Sequence, residues 1–271
     1  MKLSSFLSLA VALVTFAGAA SAEIKTQVVE YRHGDVVLEG LVAWDDTLAT
    51  AQKPAPGIVV CPEWWGNNEY SRGRARQLAA LGYVAMSIDM YGKGQVTTDP
   101  KVAGEWSGGV MKDVEVARAR ARAGYDQLAA RPEVDKKRMG VMGYCMGGTV
   151  SLELARSGAP LSAIVVFHAG SLLARGDEKA ATEANSRIRG LLTVCHGQDD
   201  AFVPAGDVDR FHAQMKAAKV DYQFIAYAGA VHAFTNPNAD KAGIPGVAYD
   251  ARADRRSWET MKATFAEAFA R

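Results

Sequence analysis

From residue 57 onward the chain repeats one texture, in which short apolar, β-branched runs alternate with longer amphipathic stretches. The runs at 57–61, 83–88, 139–143, 163–167, 191–195 and 222–227 are the pattern of strands buried on both faces. Two earlier segments, 28–32 and 36–43, alternate apolar and polar residues instead. His33-Gly34-Asp35 between them supplies a turn, so they predict an antiparallel hairpin. Helices are predicted at 74–81, 110–128, 149–156, 208–218 and 251–269. Val208, Phe211, Met215 and Ala218 form one apolar stripe, and Trp258, Met261, Phe265 and Phe269 another. Such stripes read as packing surfaces rather than a cofactor box. The alternation predicts an α/β fold, a mostly parallel sheet covered on both faces, with its functional site beyond the strands' C-terminal ends.

The first 22 residues lie outside this texture. Lys2, a largely apolar run from Leu3 to Phe16, and Ala20-Ser21-Ala22 have the layout of a secretory signal peptide cleaved after Ala22. The apolar run is shorter than the ~20 residues of a membrane span. No cysteine stands near the cleavage site to carry a lipid. An exported protein, periplasmic or secreted and without membrane insertion, is therefore expected. Residues 23–271 are expected to form one domain, because no linker or compositional step divides them. The 31 basic and 30 acidic side chains nearly cancel, which argues against nucleic acid as a partner. Three cysteines, Cys61, Cys145 and Cys195, are few and odd in number for a disulfide-dependent protein, so free thiols are expected.

Gly143-Tyr144-Cys145-Met146-Gly147-Gly148 joins a predicted strand to a predicted helix and reads as a nucleophile elbow, with cysteine in the usual serine position. A cysteine that merely fills a core needs no such flanking glycines. A cysteine nucleophile needs a base, and the base an orienting group. The strand at 191–195 opens into a turn-rich loop carrying Asp199 and Asp200, either of which could serve as the acid or merely cap a helix. The strand at 222–227 opens into a loop carrying His232, and nucleophile, acid, histidine is the chain order of the α/β-hydrolase triad. His33 and His212 are expected in solvent. His168 and His196 end strands and could line the pocket, but neither follows the acid strand. No spacing of His, Cys or acidic residues suggests a metal, and no cofactor is implied.

The elbow, the loop from Gly197 to Pro204, His232-Ala233-Phe234 and Cys61-Pro62-Glu63-Trp64-Trp65-Gly66 together resemble the dienelactone hydrolase family of α/β-hydrolases. The resemblance implies an α/β-hydrolase fold and cleavage of a small ester or lactone. The family pattern Gly-x-x-Asp-x-x-Val-Pro assigns the acid to Asp200. It implies that Glu63 contacts the resting cysteine, and that the Met146 and Trp64 amides form the oxyanion hole. Trp65, Tyr91, Lys93 and Asn236 are substrate-binding candidates, Lys93 and Asn236 falling where dienelactone-cleaving members use two arginines. That departure implies weak preference for anionic substrates. Arg118, Arg120 and Arg122 are expected on a solvated helix face. The competing expectation is a catalytically idle α/β-hydrolase scaffold that binds a ligand or partner.

Overall fold

The computed structural model describes residues 23–271. The leader expected over residues 1–22 lies outside them. Its strands are β1 (Ile24–His33), β2 (Val36–Asp45), β3 (Ala55–Cys61), β4 (Val84–Ser87), β5 (Val134–Tyr144), β6 (Ala163–Phe167), β7 (Leu191–Gly197) and β8 (Tyr222–Tyr227). They form one sheet in the order β1-β2-β4-β3-β5-β6-β7-β8. The hairpin β1/β2 is antiparallel and joins β4 antiparallel, while β4 through β8 run parallel. The sheet is that of an α/β-hydrolase.

Seven helices follow in chain order: α1 (Glu69–Ala80), α2 (Pro100–Lys112), α3 (Val114–Ala129), α4 (Met146–Arg156), α5 (Glu178–Asn185), α6 (Ala205–Ala217) and α7 (Ala251–Ala270). Alternate residues of the central strands serve two cores. Val59, Val141, Ile164 and Val194 face Ala121, Val150 and Phe211 of α3, α4 and α6. Ile58, Met142 and Val165 face Leu78, Met261 and Phe265 of α1 and α7. The stripes of α6 and α7 are thus packing surfaces, as the pattern predicts.

Two helical expectations need correction. The helix expected at 110–128 is α3, which begins only at Val114 because Asp113 leaves helical geometry (φ −110°, ψ 105°) and caps it by accepting the Glu115 amide; residues 110–112 end α2, a helix the pattern did not predict. The arginines of α3 are not a solvated face. Arg118 pairs with buried Glu153 at 2.7 Å, Arg120 donates to the Met90 carbonyl at 2.6 Å, and only Arg122 of the three points outward, to Asp126. Strand order reverses between β3 and β5, so the crevice above their C-terminal ends is where a site belongs in such a sheet.

Candidate active site

Cys145 stands at that crevice, between the end of β5 and the start of α4. Its φ of 53° and ψ of −119° lie where side chains are rarely found, the strain a sharp strand-to-helix turn imposes. The flanking glycines make the turn possible by close approach. A Cβ on Gly143 would stand 2.1 Å from the Gly147 carbonyl oxygen, and one on Gly147 would stand 2.2 Å from the Cys61 oxygen. Half-buried Cys145 opens into a cavity of about 810 Å³ walled by Trp64, Trp65, Met111, Leu173 and Phe202.

His232 and Asp200 arrive from the loops after β8 and β7. His232 Nδ1 lies 2.8 Å from Asp200 Oδ2, and both side chains are buried. Asp200 Oδ1 accepts the Phe202 amide at 2.9 Å, which fixes the carboxylate, and the Phe202 ring lies 4.6 Å from the His232 ring. Burial alone would lower the His232 pKa. The charge and hydrogen bond of Cys145, together with the Asp200 hydrogen bond, outweigh it and push His232 up to about 10. Of the two aspartates that the loop offers, Asp200 meets the histidine, while no hydrogen bond or ion pair from Asp199's side chain is found among the described residues.

Met146 is the first residue of α4, so its N–H has no intrahelical acceptor. Trp64 carries the other amide expected of the oxyanion hole. Tyr91, expected at the substrate, lies behind these two residues. Its hydroxyl donates to the Trp64 carbonyl at 2.9 Å and touches Met146 Sδ at 3.3 Å, and Tyr91 does not line the cavity. Lys93 is also misplaced by the sequence reading. The segment after β4 folds over the hairpin, so the Lys93 amide donates to Val37 O and its Nζ pairs with Glu30 of β1. The side chain is half exposed and outside the cavity.

Glu63 and Asn236 do line the cavity with Cys145. Asn236 Nδ2 donates to Glu63 Oε2 at 2.6 Å, and this is the side-chain hydrogen bond Glu63 makes among the described residues, rather than one to Cys145. Burial pushes Glu63 up to about 7, with the Asn236 hydrogen bond opposing. All three cysteines are unpaired. Cys61 and Cys195 are buried, and burial pushes each thiol up to about 12.

One of the two strand-ending histidines expected at the pocket bonds the elbow backbone instead of lining the cavity. His168, at the end of β6 with φ 36°, is fully buried, and its Nδ1 accepts the Cys145 amide at 3.1 Å. Its Nε2 lies 2.7 Å from Thr235 Oγ1. Its only sequence mark is position, a histidine ending the strand beside the elbow strand. His196 instead packs at 5.4 Å on Phe224, outside this cavity, and His212 bonds Tyr222.

The dienelactone hydrolase family model matches residues 45–269. A solved dienelactone hydrolase-like promiscuous phosphotriesterase from metagenomic libraries is 40% identical, with TM-score 0.84, covering 90% of this chain and 98% of that one. An uncharacterized protein of Caenorhabditis elegans is 35% identical over 154 residues, 56% of this chain and 94% of that protein. A protein of Methylorubrum extorquens with a provisional carboxymethylenebutenolidase name is 26% identical over 196 residues, 67% of this chain and 64% of that protein.

Proposed function

The chain belongs to the dienelactone hydrolase family, and from that membership we propose that it cleaves a small ester or lactone through an acyl-enzyme on Cys145. Membership makes it an ester or lactone hydrolase. The finer mechanism rests on one observation, the buried Asp200–His232 pair at 2.8 Å, whose histidine lines the same cavity as the elbow thiol. His232, its pKa raised against burial by the Cys145 charge and the Asp200 bond, holds the thiol proton on Nε2, and the thiolate adds to the carbonyl carbon. The Met146 and Trp64 amides hold the resulting oxyanion. Collapse expels the alcohol, which leaves with the proton from His232. Water, deprotonated by the same imidazole, then cleaves the thioester and releases the acid. Asp200 orients the ring and stabilises its charged form.

The cavity supports uncharged substrates. Its wall holds a buried carboxyl at Glu63 and no pair of arginines: Asn236 is committed to Glu63, Lys93 lies elsewhere, and Arg175, which lines the wall with Lys241, is tied to the Lys112 and Met111 carbonyls. Neutral aryl phosphate triesters are a second substrate class, favoured by the activity of the 40% identical structural relative. Attack by the same thiolate would form a phosphorus–sulfur bond and expel an aryloxide. Export after cleavage at Ala22 remains part of the proposal. Kinetics of Cys145→Ala and His232→Ala on 4-nitrophenyl esters test it. Each is expected to lose at least ~10³-fold in kcat, and the double variant to lose no more than either single one. Wild-type turnover in Cys145→Ala would remove the thiol from the mechanism and favour the idle scaffold or another nucleophile.

A further inference from the structure

A chain of hydrogen bonds leads from the elbow to the cavity wall, and the direction of its protons can be worked out. It begins at the Cys145 amide, shared between the Phe167 carbonyl and His168 Nδ1 at 3.1 Å each; an N–H can only donate, so Nδ1 turns a lone pair toward it and carries no proton. Burial holds the His168 pKa well below its ordinary value, so the ring is neutral and its proton sits on Nε2. Nε2–H therefore donates to Thr235 Oγ1 at 2.7 Å. Thr235 is fully buried, and the remaining side-chain neighbour of its hydroxyl is Tyr70 Oη at 2.6 Å. The threonine proton goes there, because a buried hydroxyl left without an acceptor is costly. Tyr70 Oη thus accepts, and its own proton finds no acceptor among the described residues.

Both ends of this chain are rigid. Asn68 caps α1 by accepting the Tyr70 amide at 3.1 Å. Arg74, backed by Asp254 at 2.6 Å, donates to the Thr235 carbonyl at 2.8 Å. Tyr70 lines the cavity beside Glu63 and Cys145. We propose that Tyr70 donates a hydrogen bond to bound substrate, and that His168 and Thr235 are positioning residues that turn its proton toward the cavity. In the acyl-enzyme mechanism proposed above, on which this inference rests, two substrate oxygens already have partners. The scissile carbonyl meets the two amides and the departing oxygen meets His232. The oxygen that Tyr70 meets is therefore a third one, and the proposal places it in the acyl portion. The preferred substrates are then esters or lactones whose acid part carries an ether, hydroxyl or carbonyl oxygen.

The test compares 4-nitrophenyl methoxyacetate with 4-nitrophenyl butyrate, which differ by one oxygen in place of a methylene. Wild type, Tyr70→Phe, Thr235→Val, Thr235→Ser and the Tyr70→Phe/Thr235→Val double variant are assayed on both. Tyr70→Phe is expected to lower the methoxyacetate-to-butyrate ratio of kcat/KM by about five- to tenfold, the worth of one neutral hydrogen bond. Butyrate, whose acid part offers Tyr70 no oxygen, is the reference against which each variant's methoxyacetate turnover is read. Thr235→Val shows a smaller loss of the ratio, Thr235→Ser restores it, and the double variant matches Tyr70→Phe because Thr235 acts through Tyr70. A ratio unchanged in Tyr70→Phe, or further lowered in the double variant, overturns the assignment. Either result leaves the Cys145 mechanism untouched, since that stands or falls with Cys145→Ala on both esters.

Discussion

Glu63→Gln removes a charge from a place that resists it, and its effect should depend on pH in a calculable way. Glu63 is 3% exposed, and burial raises its pKa from 4.5 to about 7 even though Asn236 bonds its carboxylate. A folded-state pKa above the unfolded one means that the folded protein holds the proton more tightly. The corresponding stability is complete below 4.5 and is lost as pH rises through about 7. The interval corresponds to ~3 kcal/mol of stability that wild type forfeits by neutral to alkaline pH. Glutamine has no such loss and keeps an oxygen to accept from Asn236. Urea unfolding of both proteins at about pH 4 and about pH 8.5 measures the difference. The variant should gain about 3 kcal/mol on wild type between the two conditions, with equal m-values. Parallel pH dependences would contradict a burial-raised Glu63 and place an ionised carboxylate in a better-solvated site.

Lys93→Ala should leave kcat/KM within about twofold for anionic and neutral esters alike, because its exposed ion pair with Glu30 lies on the hairpin. A selective loss on anionic lactones would return Lys93 to the site. Alkylation of native, non-reduced protein followed by mass spectrometry should label Cys145 first. Cys61 and Cys195 should react only after unfolding, since both are buried with thiols pushed up to about 12. A Cys61–Cys145 disulfide would contradict this.

The sequence made legible whatever was encoded by residue type at fixed spacing. The apolar runs located β3 to β8, and their alternation with helices foretold a mostly parallel sheet with an antiparallel hairpin. Cys145, Asp200 and His232 came from motif and chain order, and the structure brings them together. What escaped depends on backbone geometry. The break at Asp113 is a capping event inside an otherwise helical stretch. Helix α5 is eight residues of polar, alanine-rich chain whose one buried apolar side chain is Ala181, too short a face to read as a stripe. Lys93 was placed by resemblance, but the direction of the segment after β4 is set by the neighbouring hairpin. His168 bonds a main-chain N–H, a partner with no residue identity to read. Tyr70 and Thr235 lie 165 positions apart and meet only because the first turn of α1 and the loop after β8 converge over one sheet edge.

Hydrolysis by the proposed route passes through a covalent acyl group on Cys145. Rapid acid quench of the protein turning over a 4-nitrophenyl ester, followed by intact mass measurement and peptide mapping, tests it directly. The expected result is a single added acyl mass on the peptide containing Cys145, absent from Cys145→Ala and accumulating in His232→Ala if any acylation survives. Full turnover with no adduct, undiminished by prior alkylation of Cys145, would contradict it.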